Sequence, residues 1–179
     1  MEILKLEALS GNPVLNWGLN GYTTDKIFVV SAIEAGTIFE FGLREKRQYY
    51  HKMWNSSDED FDRLNLIISQ GHSFGAFYNG ELIAWAVCDF RAWNNSLFIE
   101  TIMVSEEFRG ESVGRLLIKS IHREARELQC RIVEVETQNT NYSAIKFFQK
   151  AGFIITGINT KLYNHSTETA IFMTYDLLR

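Results

Sequence analysis

The sequence predicts an α/β (α+β) protein, a mostly antiparallel sheet with helices packed on its faces. Three observations predict it. Asn79-Gly80 stands between two apolar runs, 73–78 and 81–87, which is a two-residue hairpin signal. The stretch from Ser96 to Phe153 reads as strand, basic-glycine turn, helix, strand, helix. Apolar residues make up 46% of the 179, enough for one folded domain with a substantial core.

Residues 1–21 carry no clear pattern, and the single proline, Pro13, marks a turn in Ser10-Gly11-Asn12-Pro13. Lys26 to Ile33 reads as a strand. After Gly36, the alternation from Thr37 to Leu43 gives a second strand. Glu45 to Trp54, rich in aromatics, reads as a short helix. Ser57-Asp58-Glu59-Asp60 starts another helix, with Phe61, Leu64, Ile67 and Ile68 on one face. The hairpin follows, then a turn over Arg91 to Asn95 and a strand from Leu97 to Val104. The helix that ends at Leu128 lays Leu116, Leu117, Ser120, Ile121, Ala125 and Leu128 broadly to one side. Arg131 to Thr137 is a strand, and the segment from Asn141 to Phe153 supplies the helix after it. Gly157 and Asn159 loosen a strand starting at Phe153, and Thr169 to Tyr175 is the closing strand.

The net charge of −4 argues against a nucleic-acid surface and suits a cationic acceptor such as an amine. Cys88 and Cys130 lie far apart without metal spacing and read as free thiols of a reducing compartment. His51, His72, His122 and His165 show no metal-ligand spacing either, so no metal is expected. No signal pattern opens the chain and no apolar run approaches a membrane span. The expectation is a cytoplasmic protein without a membrane or nucleic-acid partner.

The turn between the strand and the helix carries the chemistry. Arg109-Gly110-Glu111-Ser112-Val113-Gly114 leads into a helix start, which leaves about four N–H groups unpartnered and roughly half a positive charge. Glycines let a polyanion approach that backbone, and Arg109 adds a charged fork. A pyrophosphate suits such a turn. The plain alternative is a loop-to-helix junction with Ser112 as N-cap. The turn lacks the Gly-Lys-Ser/Thr end of a P-loop and the three-glycine spacing of a dinucleotide fold.

This hexapeptide resembles the acetyl-CoA pyrophosphate loop of the GNAT superfamily of N-acetyltransferases, Arg/Gln-x-x-Gly-x-Gly/Ala. Asn141-x-x-Ala144-x-x-Phe147-Phe148-x-Lys150-x-Gly152-Phe153 resembles the family's second cofactor segment, in the right order and at the right separation. Ile99-Glu100, Glu136-Thr137-Gln138-Asn139 and Ala170-Ile171-Phe172 are similar to the streptothricin-acetyltransferase-like branch. The resemblance implies one acetyltransferase domain over 1–179. Residues 1–70 would be a variable acceptor-side part, and 71–178 an acetyl-CoA-binding core around a sheet of about seven strands. The implied activity is acetyl-CoA-dependent transfer to a primary amine by direct attack in a ternary complex, since neither segment holds a cysteine for a covalent intermediate. The implied acceptor is a small-molecule amine, with a peptide or protein amine as the alternative. An acyl-CoA-binding or sensing module with little catalysis is the alternative function. A homodimer is implied by the family alone.

Carried onto this chain, the resemblance gives the backbone of Ile102, Met103 and Val104 to the pantetheine and the thioester carbonyl, on a strand that splays from its neighbour. Arg109, Gly110, Glu111, Ser112, Val113 and Gly114 fall to the pyrophosphate, with Asn141, Ala144 and Phe148 adding cofactor contacts. Two residues depart from the pattern. Ser112 replaces a glycine, so the backbone there must suit a residue with Cβ; Glu111 beside it should face solvent. Phe148 replaces a tyrosine proposed to protonate the thiolate. That role passes to water, to Tyr142 or Tyr163, or is unnecessary. Glu100, in an otherwise apolar strand and two residues before Ile102, is the first choice of base; its alternative is an ion pair with a basic neighbour. Glu134 and Glu136 share a strand face, as rival bases or as a charge site for a cationic acceptor. Asn141 has a second reading as a helix cap. Trp54, Trp85, Trp93, Tyr49 and Tyr50 are candidates for an acceptor-pocket wall or for the core.

Overall fold

The computed structural model describes residues 1–9, 21–53, 58–164 and 168–178. Among them the strands are β1 (Glu2–Lys5), β2 (Gly21–Ala35), β3 (Ile38–Met53), β4 (Phe74–Tyr78), β5 (Glu81–Arg91), β6 (Ser96–Val104), β7 (Ile132–Gln138), β8 (Ile154–Asn159) and β9 (Ala170–Asp176). The helices are α1 (Asp58–Ile68), α2 (Val113–Glu127) and α3 (Tyr142–Lys150), with a 3-10 turn η1 at Glu106–Phe108. Seven strands form one sheet in the order β1-β4-β5-β6-β7-β9-β8, and β2 and β3 form a separate ribbon. The β1/β4, β4/β5, β5/β6 and β8/β9 ladders are antiparallel and β6/β7 is parallel. This is the mixed, mostly antiparallel sheet of about seven strands that was expected. The turn read at Pro13, the helix start at Ser57, Trp54 and His165 lie outside the described residues.

The chain divides into two compact units. In the first, Met1–Asn20, Trp54–Val135 and Tyr175–Arg179, two periodicities build the core. α1 turns Phe61, Leu64 and Ile68 inward at i, i+3 and i+7, and β5 presents Trp85 and Val87 at i and i+2. They meet Leu6 and Leu9 in one buried cluster. Each such side chain stabilises the fold by roughly 1.5–3 kcal/mol. Asn65 secures the neighbouring segment, accepting the Leu9 N–H at 2.7 Å and donating to the Leu9 carbonyl at 3.0 Å. The hairpin turn has Asn79 at φ 51° and Gly80 at φ 83°, the positive pair a type I′ turn needs. α2 buries Val113, Leu117, Ile121 and Ala125 at four-residue steps. Leu116, read as inward, is 37% exposed, because that row rotates it away from the buried side.

In the second unit, Gly21–Met53 and Glu136–Thr174, β2 and β3 pair from Gly21 against Met53 to Ala35 against Ile38. This overturns the short helix read over Glu45 to Trp54. Glu45, Lys46, Arg47 and Gln48 favour helix by only a few tenths of a kcal/mol each, and a full-length partner strand outweighs that preference. Asn139 holds the unit together through four bonds. Its Nδ2 donates to the Phe28 carbonyl at 2.7 Å and its own carbonyl accepts the Phe28 N–H at 2.9 Å. Its Oδ1 accepts the Thr169 N–H at 2.8 Å and its N–H donates to the Thr169 carbonyl at 2.9 Å. The β8/β9 register slips between Ile155 and Gly157, so Gly157 marks the loosened point.

Candidate active site

The site residues of the first unit gather along β6 and the loop after it. On one side β6 stays paired with β5, from Ser96 against Arg91 to Val104 against Ala84. On the other, its parallel register with β7 runs only from Ser96 against Ile132 to Ile99 against Val135. The β5 register shifts at the same point: Thr101 faces Val87 and Ile99 faces Cys88, which leaves Glu100 as the extra residue of a bulge. A bulge bends its strand and increases the local twist, a physical reason for the parallel ladder to stop there. Half-buried Ile102, Met103 and Val104 follow, past the end of that ladder.

The loop is held in a left-handed conformation at two places. Gly110 has φ 91°, and a Cβ added to it would meet nothing within 4 Å, so backbone conformation rather than space calls for glycine. Ser112 sits at φ 63°, ψ 8°, a conformation glycine adopts freely and serine at a cost. Ser112 flanks α2 as its N-cap residue, but its side chain makes no capping bond. Left-handed residues of this kind turn successive N–H groups toward one concavity. The first N–H groups of α2, which lack intrahelical partners, open beside it. Buried Val113 and half-buried Gly114 root the helix start, while Glu111 and Ser112 are exposed. The Arg109 Nε donates to the Val104 carbonyl at 3.1 Å, tying the loop to the end of β6.

Glu100 is in an ion pair with Arg63 of α1, through its Oε1. Glu134 accepts a hydrogen bond from Asn94 Nδ2 at 3.1 Å. Trp85 lies in the core, whereas Trp93 is 83% exposed.

In the second unit, the Asn141 Oδ1 accepts the Ala144 N–H at 3.2 Å, so Asn141 does cap α3 and Ala144 forms its first turn. Phe148 is buried, edge-on to Phe147 and Phe153 at centroid distances of 5.2 and 5.3 Å. The Tyr142 hydroxyl donates to Glu45 at 3.1 Å and its ring stacks on Phe28. The Tyr163 hydroxyl donates to Glu136; burial first, then that carboxylate, push its pKa up, so it stays protonated. Tyr49 is exposed.

One cluster escaped the sequence reading. The buried Glu168 carboxylate accepts from Thr140 Oγ1 at 2.9 Å and Tyr50 Oη at 3.1 Å, and is paired with Lys52. Burial pushes the Glu168 carboxyl up, but the bonds from Lys52, Thr140 and Tyr50 outweigh it and hold it below its ordinary value. Tyr22 bonds Thr140 at 2.6 Å, and burial pushes its own pKa up. The available signal was strand alternation: Tyr50 and Lys52 are two apart and face Thr24 and Tyr22 across the ribbon. Reading that segment as helix hid it. Among the described residues no three His, Cys, Asp or Glu side chains gather as a metal-holding group, and no helix is long and apolar enough to cross a membrane.

Comparison with known proteins follows the same lines. The sequence profile described as the acetyltransferase (GNAT) family matches residues 39–153. Streptothricin acetyltransferase A of Bacillus subtilis (strain 168) is 36% identical over 150 residues, 82% of this chain and 84% of that protein. Streptothricin acetyltransferase of Streptomyces lavendulae is 33% identical over 98 residues, 53% of this chain; that match spans only 52%, about half, of the relative's length. The crystal structure of nourseothricin acetyltransferase superposes with a TM-score of 0.78 at 27% identity, covering 98% of each chain. A bulged strand released from its parallel neighbour, a left-handed loop feeding a helix start, and a family profile over more than half the residues agree: the chain belongs to the acetyltransferase (GNAT) family.

Proposed function

We propose that the chain is an acetyl-CoA-dependent N-acetyltransferase whose acceptor is a primary amine on a small cationic molecule of the streptothricin class. Family membership and the names of the relatives support this reading. The observation that carries it is the continuity of β6 past its β7 ladder into the Arg109–Gly114 loop. These residues fit acetyl-CoA. The loop N–H groups and Arg109 suit a pyrophosphate, and the backbone of Ile102, Met103 and Val104 suits the amide-bearing pantetheine arm. Glu111 is exposed, which supports a reading in which its charge faces solvent rather than the anion. When bound, acetyl-CoA supplies the activated acetyl thioester.

The protein's own groups then have two tasks. Glu100 is our candidate to take the amine proton; Arg63 engages its Oε1, and a bulge is where a strand re-aims a side chain. Tyr142 and Tyr163 are candidates to return a proton to the departing thiolate, each after releasing the carboxylate it now serves. Phe148 has no proton to give, and its burial makes it a packing residue for α3. The two buried free thiols, Cys88 and Cys130, suit a reducing cytoplasm and direct transfer without a covalent acetyl-enzyme. A second reading, acyl-CoA binding with little catalysis, is favoured by the commitment of both tyrosines to carboxylates.

An acetyl-transfer assay with streptothricin, spermidine and a short peptide amine separates these readings. The proposal expects turnover highest with streptothricin by at least about tenfold in kcat/KM. Equal or greater turnover of the peptide contradicts the acceptor, and binding of acetyl-CoA without transfer to any of the three favours the second reading.

A further inference from the structure

Successive side chains of a strand point to opposite sides of its sheet. Trp85 and Val87 of β5 pack with Phe61, Leu64 and Ile68 of α1, so their cross-strand partners Met103 and Thr101 lie on the α1 side. Ile99, opposite Cys88, lies on the other side. An unbroken strand would set Glu100 away from α1, alongside Ile102. The bulge breaks that alternation. Glu100 is its extra residue, and its carboxylate meets Arg63 on α1. Two consecutive side chains, Glu100 and Thr101, therefore face the same helix.

Stability does not explain this ion pair. The Arg63 side chain is 56% exposed and that of Glu100 22%, and pairs so open to solvent contribute little to folding. The pair fits a different task. Arg63 stands two positions after Phe61 and one before Leu64, both buried, so its helix is fixed against the sheet. From that base the Arg63 Nη1 donates to the Glu100 Oε1. A carboxylate has two acceptor oxygens, and Oε2 lies outside this bond. A glutamate side chain has several rotamers. The guanidinium selects one of them and leaves an oxygen for an amine, or for a water that leads to it.

We infer that Arg63 is a positioning residue for acetyl transfer: it holds Glu100 on the α1 side of β6, with the second carboxylate oxygen presented to the incoming amine. The inference rests on Glu100 being the base of the proposed reaction. Arg63 touches neither the acetyl group nor the amine and acts through Glu100 alone. Such a role matters because a reacting group misplaced by about 1 Å costs about a hundredfold in rate.

Steady-state kinetics on a double-mutant cycle, with the acceptor that the full chain turns over fastest, tests this. Arg63→Met alters an exposed position and should keep its circular dichroism. It is expected to lower kcat about tenfold while the acetyl-CoA Kd moves less than about twofold. Arg63→Lys should recover most of that loss, because an ammonium also holds a single oxygen. In the Glu100→Gln background the same Arg63→Met change should cost less than about twofold, since the group it positions is gone. A packing role alone would lower kcat by the same factor in both backgrounds, and that result overturns the inference. So does an Arg63→Met enzyme with unchanged kcat. In either case Glu100 stays the base as long as Glu100→Gln is impaired. Full turnover by Glu100→Gln, or no transfer to any acceptor, strikes the underlying reading and the inference with it.

Discussion

The Arg109–Gly114 loop and the Glu168 cluster are both polar, and they are made in opposite ways. The loop works through backbone: two left-handed residues, a helix start and one guanidinium, all within six consecutive positions. The cluster works through side chains brought from Tyr22, Tyr50, Lys52, Thr140 and Glu168, segments far apart in the chain. A backbone site writes itself locally, because glycine and the residues beside it are chosen for conformation. A side-chain network leaves no local trace until the strands that carry it are in register.

Substitutions at four positions test that contrast, and they should differ in size. The largest effect belongs to Glu100→Gln. It should lower kcat by about a hundredfold or more while the acetyl-CoA Kd moves less than about twofold. Unchanged turnover in a steady-state assay removes Glu100 as the base and leaves it a partner of Arg63. Asn139→Ala comes next. It strands the buried Phe28 carbonyl and the half-buried Thr169 N–H and should cost about 2–4 kcal/mol in a urea titration. A loss below about 0.5 kcal/mol would show that water replaces the amide. Ser112→Val is smaller: a β-branched residue in the left-handed conformation costs about 1–3 kcal/mol, read as stability or as a weaker acetyl-CoA Kd, whereas Ser112→Gly should lose nothing in either.

The smallest effect is a pH dependence. Burial, with the charge of Arg126 beside it, lowers the His122 pKa from 6.5 to about 4, and the ring stacks on Tyr175 at 3.8 Å. Between those values the unfolded chain takes up a proton that the folded one refuses, so folding stability falls as pH drops from about 6.5 toward 4. Partial exposure limits the effect to on the order of 1 kcal/mol. Urea midpoints at pH 7 and pH 5 should therefore differ more for the unaltered protein than for His122→Gln.

The same contrast explains what the sequence could tell. The hairpin at Asn79-Gly80, the strand–loop–helix order from Ser96 to Phe153 and the family itself were legible, because each rests on short spacing. The bulge at Glu100 was not. It is a relation between β5 and β6, and simple alternation placed Glu100 on the face of Ile102 without it. The helix read over Glu45 to Trp54 failed for the same reason: Glu45 to Gln48 have helical propensity, and only the partner β2 shows that they are strand. Asn141 illustrates the middle case. Its capping bond to Ala144 was readable from the helix start, and it occupies the oxygen while leaving the amide nitrogen out of that bond.

The central claim is that β6 past Ile99 and the loop after it form one acetyl-CoA site. Calorimetric titration of the folded protein with acetyl-CoA, with CoA and with the nucleotide part lacking pantetheine tests it most directly. The account predicts saturable binding of acetyl-CoA and CoA, with the nucleotide part weaker by at least about tenfold, since only the pantetheine arm can use the strand edge. Equal affinity for the truncated nucleotide, or no binding of acetyl-CoA at all, would contradict it.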